Sequence, residues 1–337
     1  MEQLRPFLFF FTLSCAERIW AEVFCSILQS QGHNVIFDET TWDGDEEEIL
    51  IDGIPLPDYK ENHLNMSVTD FVKKYYVIIT RIFDNRVKAF IKNILMNIDP
   101  NVEYYWYRVE FQARGMFVYL LIFPSTKFSC IGMPHVHGVL WYNREALEDY
   151  MDNGVINPEK LPALVEKWIS CSLKNDSEEL NELVRKVQIH KHTPSCQRKG
   201  KCRFSYPRFP SERTIIACPP KDDMPEDERK DLINKAGLLL KKVITALEEI
   251  KDLDEDPDLD DFLKSLNIDK KEYYSALEIS VKGNTVILKR RVNECMVNNY
   301  CSKMILPWQA NVDIQICSDH YALVTYVTDY ISKVSKF

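Results

Sequence analysis

Two histidines one residue apart, His135 and His137, lie in the segment 134–138 (PHVHG), directly before the apolar run 139–141. A short apolar run of this kind is typical of a buried β-strand. A strand turns alternate side chains to the same face, so both imidazoles would project from one side of a sheet. Two imidazoles on a stiff strand can hold a divalent metal ion. Two unrelated histidines near a strand end would give the same pattern, so the rest of the chain has to decide.

Apolar periodicity along the remaining chain predicts an α+β fold with a central, mostly antiparallel sheet flanked by helices. Strands alternate every two residues, whereas amphipathic helices repeat about every 3.6 residues. The predicted strands are 7–13, 103–113, 133–142 and 277–288, and the predicted helices are 15–31, 68–97, 161–171, 180–187, 229–253 and 321–334. The sequence contains no internal repeat, and we treat residues 1–337 as one domain.

The composition, 45% hydrophobic and 28% charged, is that of a soluble globular protein. The longest apolar run, 116–123, is far shorter than the roughly 20 residues of a membrane helix, so we expect no membrane partner. Arg5 ahead of the apolar run 7–11 imitates a signal peptide, but the same residues fit a buried first strand. Ten cysteines scattered through a long chain favour a reducing intracellular compartment over a disulfide scaffold.

Charge is distributed unevenly around a formal net charge of −9. The segment 185–213 holds nine Lys and Arg residues and a single acid, Glu212, which predicts a phosphate-binding surface. Acidic residues concentrate in 43–48 and 254–261, and we expect these to be a solvated loop and a linker. A net charge of −9 alone would argue against a nucleic-acid partner. The local basic segment makes such a partner possible.

Four potential metal ligands, His190, His192, Cys196 and Cys202, fall within thirteen residues of the basic segment 186–214. Two nitrogen and two sulfur ligands suit tetrahedral Zn²⁺, and we predict a small zinc-knuckle-like insertion. A reactive basic loop without a metal is the alternative, because the spacing is less regular than that of a two-residue cysteine knuckle.

A zinc site here would present basic side chains to DNA. These side chains are Arg198, Lys199, Lys201, Arg203 and Arg208. The aromatic residues interleaved with them are Phe204, Tyr206 and Phe209. Rings among basic residues suit a single-strand binding surface, although each ring would equally well pack beneath the knuckle.

Tyr326 and Tyr330 are four residues apart near the C-terminus, and Lys333 follows one turn later. On a helix these side chains share a face. Aromatic residues at this spacing usually belong to a core. A phenol becomes a usable nucleophile, however, when a metal polarises the electrophile and a cation stabilises the developing charge.

Taken together, these motifs resemble the N-terminal replication-initiator region of Helitron rolling-circle transposases, the Helitron helicase-like domain, a branch of the HUH endonucleases. The resemblance runs nearly from end to end. The similar segments are 10–16 (FFTLSCA), 108–115 (RVEFQARG), 134–138 (PHVHG), 190–193 (HKHT), 202–204 (CRF), 298–300 (NNY), 310–315 (ANVDIQ) and 326–333 (YVTDYISK).

The resemblance implies a metal-dependent nicking and joining endonuclease of HUH-like fold. His135 and His137 would hold Mg²⁺ or Mn²⁺ with a polar side chain from a neighbouring strand. Gln112 is the first choice for this third ligand and Glu110 the alternative, because both face the same side of a strand. Glu110 would otherwise form an ion pair with a neighbouring arginine.

The resemblance further implies that Tyr326 and Tyr330 are nucleophiles that form a 5′-phosphotyrosine link, while Lys333 steadies a phosphate. The substrate would be single-stranded DNA at the transposon ends and target, and the location nuclear. The alternative is a non-catalytic, zinc-stabilised DNA-binding remnant of a decayed or truncated transposon.

The sequence departs from the family pattern in two places. Residues 116–132 separate Gly115 from the Met133–His135 segment that would normally follow it, and we predict that they are an abnormal insert, such as a retained intron. A tolerated hairpin extension is the alternative. The helicase domain of full-length family members is missing from these 337 residues, and no phosphate-binding GxxxxGK[ST] sequence occurs, so we expect no ATPase activity.

Overall fold

The computed structural model describes residues 8–37, 46–63, 67–111, 133–152, 155–194, 196–198, 200–221, 223–250, 253–281 and 285–317. The strands are β1 (Phe9–Ser14), β2 (Val35–Ile36), β3 (Leu50–Ile51), β4 (Ile54–Pro55), β5 (Val102–Phe111), β6 (Pro134–Tyr142), β7 (Met151–Asp152), β8 (Val155–Ile156), β9 (Gln197–Arg198), β10 (Lys201–Cys202), β11 (Ile215–Ala217), β12 (Thr285–Ile287) and β13 (Val312–Ile316). The helices are α1 (Ala21–Ser30), α2 (Leu56–His63), α3 (Val68–Asn93), α4 (Arg144–Glu148), α5 (Leu161–Trp168), α6 (Glu178–Val187), α7 (Glu226–Leu247), α8 (Leu259–Ser265), α9 (Lys270–Leu277) and α10 (Ser302–Trp308).

The main sheet has four antiparallel strands in the order β13–β1–β6–β5. The histidine strand β6 therefore has hydrogen-bonded neighbours on both edges. Its residue His137 lies opposite Thr12 of β1 and opposite Arg108 of β5. The expected α+β fold with an antiparallel sheet is confirmed, and the histidine strand occupies an interior position in that sheet.

One face of the sheet forms the main core. In β1 the side chains alternate, so that Phe9, Phe11 and Leu13 are fully buried and the residues between them are only partly buried. Such alternation is expected of a strand that packs one face on helices. The other face therefore carries Phe10, Thr12 and Ser14 of β1. The two histidines of β6 lie on this same face, opposite Thr12 and Ser14.

Trp308 at the end of α10 anchors the helices behind the sheet. Its ring contacts Trp20, Phe83 and Phe90 edge-on, with centroid separations of 5.3, 5.8 and 5.4 Å. Edge-to-face aromatic pairs add about 0.5–1.5 kcal/mol beyond the burial of their area. The Arg86 guanidinium lies 4.4 Å from the Trp20 ring and donates to the Trp308 carbonyl at 2.9 Å. The loop that follows α10 is thereby fixed where β13 enters the sheet.

A second apolar cluster lies under α7, α8 and α9. Its buried members include Val243, Leu247, Leu263, Tyr273 and Leu277. The Tyr273 hydroxyl donates to the carbonyl of Pro210 at 2.7 Å, which ties this cluster to the end of the basic segment. Among the described helices, none has the length and apolar content that a membrane crossing requires.

The strand predicted over 277–288, with a turn at 282–284, is wrong at its first residue, and its turn lies outside the described residues. Leu277 is the last residue of α9, which begins after Asp269, whose carboxylate accepts hydrogen bonds from the backbone N–H groups of Lys271 and Glu272. This N-cap favours a helix over the strand that the apolar residues alone suggested. Further along, Ile279 forms a single parallel bridge with Cys218, and β12 pairs with β11.

The acidic linker predicted over 254–261 is shorter than expected. Asp258 caps α8 by accepting from the N–H groups of Asp260 and Asp261, so the helix begins inside the predicted linker. Asp256 also forms an ion pair with Arg291 at 2.9 Å. Some of these acids therefore have local structural roles, as a helix cap and as an ion-pair partner.

The glycine after the histidine pair is required by close packing. Gly138 lies opposite Phe11, and a Cβ added there would approach three atoms of the Phe11 ring to 2.3, 2.5 and 3.0 Å. We expect Gly138→Ala to lower the free energy of unfolding by about 1–3 kcal/mol, because the buried ring has no free space to move into.

Denaturant unfolding measures this change. Gly237→Ala is the matched control, because nothing lies within 4 Å of a Cβ built at that position in α7. Alanine is the better helix former, so this control should be stabilised by up to about 1 kcal/mol. Equal effects of the two substitutions would contradict the packing argument.

Candidate metal and nucleic-acid site

His135 and His137 project from the face of the main sheet opposite the main core. The alternation predicted from their spacing is visible in β6, where Val136 between them is fully buried. Glu110 of β5 lies directly opposite His135, and its Oε2 atom is 3.2 Å from Nε2 of His137. Glu110, the alternative third ligand, thus joins both histidines on this face. Gln112, the first choice, lies outside the described residues.

The environment of His137 favours its neutral form. Burial, with a smaller contribution from the nearby His135, lowers the pKa of His137 to about 4. The Phe10 ring stacks on the imidazole with a centroid separation of 5.9 Å. Neutral imidazole is the form that binds metals. Two nitrogens and a carboxylate oxygen, converging on one face, form a donor set that suits a divalent cation.

Asp313 of β13 shares the histidine face. It lies opposite Thr12, which in turn lies opposite His137, so the three residues form one row across the sheet. Asp313 accepts from the Gln315 side chain at 2.7 Å, whereas its buried Oδ1 atom has no hydrogen-bond partner. Burial raises the pKa of Asp313 to about 6, against an opposing effect from Arg208.

Sequence reasoning gave no role to Asp313 or Thr12. The available signal was a polar residue at an alternate position of an otherwise apolar strand, as in Val312, Asp313 and Ile314. That pattern shows that the aspartate faces away from the core, but it does not show which strand lies beside it.

His190, His192, Cys196 and Cys202 come together as the spacing predicted. One ligand atom from each lies within 4.8 Å of the others. Cys196 Sγ is 3.6 Å from His192 Nδ1, and Cys202 Sγ is 3.4 Å from His190 Nε2. The short hairpin of β9 and β10 returns the chain to the cluster. Two imidazoles and two thiols in this arrangement are a donor set that fits zinc.

The pKa of Cys196 is lowered to about 7, chiefly because the Thr193 N–H donates to its sulfur at 3.2 Å. His192 adds to this effect. A thiol that loses its proton near neutral pH is a better metal ligand, since the thiolate is the form that binds.

The aromatic residues of the basic segment take different positions. Tyr206 is buried and stacks on His190, with ring centroids 4.3 Å apart and an interplanar angle of 11°. Its hydroxyl donates to Asn298 at 2.8 Å. Phe204 is instead 45% exposed. The two possibilities considered for these rings therefore both occur, with Tyr206 packed against the cluster and Phe204 at the surface.

The basic side chains also separate into distinct environments. Lys201 and Arg203 are exposed, and the Arg203 guanidinium lies 4.5 Å from the Phe204 ring. Arg208 is half-buried and lies 4.9 Å from the Tyr206 ring. The Arg198 side chain and Lys199 lie outside the described part of the chain.

Several sequence-predicted features cannot be located. Tyr326, Tyr330 and Lys333 all fall in residues 318–337, and the insert predicted at 116–132 falls in 112–132. Both ranges lie outside the described residues. The roles assigned to these residues therefore stay predictions.

A family model for the Helitron helicase-like domain at the N-terminus matches residues 1–117. Residues 1–117 are similar to this domain family. The predicted resemblance is confirmed over these residues, and for the later motifs it stays a prediction. The matched range includes Glu110 and ends before β6, so it does not reach the histidine pair or the His/Cys cluster. No curated protein and no solved structure gives a significant match to the chain.

Asp313 should make the stability of the folded chain depend on pH. Its pKa is about 6 in the folded state, above the roughly 3.9 of an unfolded aspartate. The folded chain then holds the proton more tightly, so this contribution to stability is present below pH 4 and lost as pH rises through 6.

We expect Asp313→Asn to gain stability relative to the wild type between pH 4 and pH 7, by on the order of 2–3 kcal/mol. Denaturant unfolding across this range measures the difference. Asp223→Asn, which removes one carboxylate from an exposed position, is the matched control. A constant difference between Asp313→Asn and wild type at every pH would contradict the assigned cause.

Proposed function

We propose that the chain is a metal-dependent endonuclease and strand transferase of a Helitron transposon that acts on single-stranded DNA during rolling-circle transposition. The observation that carries this proposal is the convergence of His135, His137 and Glu110 on one face of the sheet. The proposal is supported by the Helitron helicase-like match over residues 1–117. The expected HUH-like fold and the nuclear location belong to the same proposal.

The residues of this face fit Mg²⁺ or Mn²⁺. His135 and His137 would hold the ion with a carboxylate oxygen of Glu110, or with the side-chain oxygen of Gln112. The bound ion would supply Lewis-acid polarisation of the phosphate oxygens. Burial of His137 and its low pKa keep the imidazole unprotonated and ready to bind at neutral pH.

Tyr326 and Tyr330 are the proposed nucleophiles. The phenolic oxygen of one tyrosine would lose its proton and attack the scissile phosphorus, forming a phosphotyrosine bond to the 5′ end. The bond from phosphorus to the 3′ oxygen breaks, and that oxygen takes up a proton to leave as a hydroxyl. Lys333 would offset the charge on the phosphate. The reverse attack by a 3′ hydroxyl joins strands and needs no ATP, because the phosphotyrosine conserves the bond.

We propose a structural zinc ion at the His/Cys cluster. Two nitrogens and two sulfurs within 4.8 Å of one another support this, as does the lowered pKa of Cys196. The exposed residues Lys201, Arg203 and Phe204 next to the cluster would contact the DNA strand. Basic residues beside a surface ring suit the binding of single strands, where the bases stack and the phosphates pair with cations.

A nicking assay with Mn²⁺ and labelled single-stranded oligonucleotides tests the catalytic proposal. Wild-type protein should become covalently linked to the 5′ end of the downstream fragment and release the upstream fragment with a 3′ hydroxyl. Tyr326→Phe and Tyr330→Phe together should abolish the adduct, because no phenol remains to attack. His137→Ala should lower the nicking rate by at least about 100-fold, in line with the loss of a metal ligand.

Tyr105→Phe, which changes a partly exposed tyrosine on β5, should leave the adduct unchanged. A well-folded chain that binds single strands but forms no adduct would contradict the nuclease proposal and favour the non-catalytic, zinc-stabilised remnant. An adduct that persists in the double tyrosine variant would contradict the assignment of the nucleophiles.

Elemental analysis of purified protein tests the zinc proposal. We expect about one zinc per chain, and Cys202→Ser should lose most of it together with several degrees of thermal stability. Cys218→Ser is the matched control, since Cys218 is a free cysteine outside the cluster, and it should keep the metal. Equal zinc content in the two variants would overturn the proposal.

A further inference from the structure

We infer that Arg208 binds a phosphate of the DNA strand at the histidine face, as a cation held in place by Tyr206 and the His/Cys cluster. This inference rests on the proposed function, since it assumes a single strand at that face. It separates Arg208 from Lys201 and Arg203, which occupy the exposed surface of the same segment.

Arg208 is held in place both by its backbone and by an aromatic ring. Its backbone N–H donates to the Cys295 carbonyl at 2.8 Å, and its guanidinium lies 4.9 Å from the Tyr206 ring. Its Nε atom is buried without a hydrogen-bond partner. A planar guanidinium supported by an aromatic ring has already lost much of its conformational freedom, so little more is lost when it binds a ligand.

Hydrogen bonds connect the ring beneath Arg208 to β13: the Tyr206 hydroxyl donates to Asn298, the Asn298 N–H donates to the Gln188 carbonyl at 2.8 Å, and Gln188 donates to Val312. The charge of Arg208 acts on Asp313, whose pKa it lowers against the effect of burial. Asp313 lies opposite Thr12, and Thr12 lies opposite His137. Two strand spacings of about 4.8 Å separate Asp313 from His137, so one DNA strand can cross both positions. A strand whose scissile phosphate is at the histidines would therefore pass Arg208 with a neighbouring phosphate.

The charge of Arg208 remains available to an anion. The ion pairs found for basic side chains in this part of the described chain involve Arg185 and Arg213 and not Arg208. Arg185 and Arg213 are paired with Asp254 at 2.9 Å and Glu278 at 3.2 Å. Asp313 acts on Arg208 only through its longer-range charge, and the bidentate geometry of the guanidinium donors suits phosphate.

The His/Cys cluster supports this arrangement through Tyr206, whose ring stacks on His190. The chain next to His190 is joined to the sheet as well. Gln188, which is fully buried, donates to the Val312 carbonyl at 2.9 Å and accepts from the Asn311 side chain at 2.6 Å. The strand that carries Asp313 and the segment that carries His190 therefore form one hydrogen-bonded unit.

The salt dependence of single-strand binding tests the inference. Affinity for a labelled oligonucleotide is measured by fluorescence anisotropy without Mg²⁺ or Mn²⁺, so that no nicking occurs. Each neutralised phosphate contributes about 0.7 to the slope of log K against log salt for single strands. Arg208→Gln should lower the magnitude of the slope by about 0.7, whereas Arg208→Lys should retain it.

Arg213→Gln is the matched control. Arg213 also lies 4.9 Å from an aromatic ring, that of Tyr274, but it is paired with Glu278. Its removal should leave the slope unchanged. An Arg208→Gln variant with the wild-type slope and a wild-type melting temperature would overturn the inference.

The role of Tyr206 as a positioning residue is tested in the same assay. Tyr206→Phe keeps the ring and should keep the slope, whereas Tyr206→Leu should reduce it as Arg208→Gln does. Adding Arg208→Gln to Tyr206→Leu should then have no further effect. A full additional loss in the double variant would show that Arg208 does not depend on the ring. If Tyr206→Leu does not fold, the glutamine and lysine variants of Arg208 decide the phosphate contact.

Different results would contradict the nuclease proposal and the inference about Arg208. A wild-type chain that binds and nicks while Arg208→Gln keeps the full slope overturns the inference alone. A wild-type chain that binds without forming an adduct overturns the nuclease proposal. The salt dependence of binding by the Arg208 variants still tests the phosphate contact in that case. A chain that binds no single strand overturns both.

Discussion

The hydrogen-bond ladders on both edges of β6 are the constraint on which the candidate site depends. They fix the register that sets His135 against Glu110 and His137 against both Thr12 and Arg108. A slip of one residue would turn both histidines into the core, because side chains alternate along a strand. The register is protected by the Phe11 ring, which occupies the space that only a glycine at position 138 leaves open.

The His/Cys cluster is part of the sheet's architecture and not a separate appendage. Gln188 joins the segment before His190 to β13, and Tyr206 fills the space between the cluster and Arg208. A buried polar network of this kind specifies one arrangement when all of its members are satisfied. In the same basic segment, Tyr206 is buried against the cluster, whereas Lys201, Arg203 and Phe204 are exposed to solvent.

The sequence alone predicts the features that depend on local spacing. The common face of His135 and His137 follows from the period of a strand, and the His/Cys cluster follows from ligand types within thirteen residues. The position of Asp313 does not follow, because β13 pairs with β1 across some 300 residues, and local periodicity contains no information on strand order. The apolar pattern around Leu277 fits the end of a helix as well as the start of a strand. The N-cap at Asp269 favours the helix, which ends at Leu277.

The last described pair of the β5–β6 ladder, Phe111 with Pro134, has a consequence for engineering the chain. The ladder itself aligns Glu110 with His135, so their alignment does not depend on the length of the connection between the two strands. Loop closure becomes only slowly more costly as a connection lengthens. This connection is therefore a rational place to insert a fluorescent reporter or an affinity tag while keeping the geometry of the paired strands.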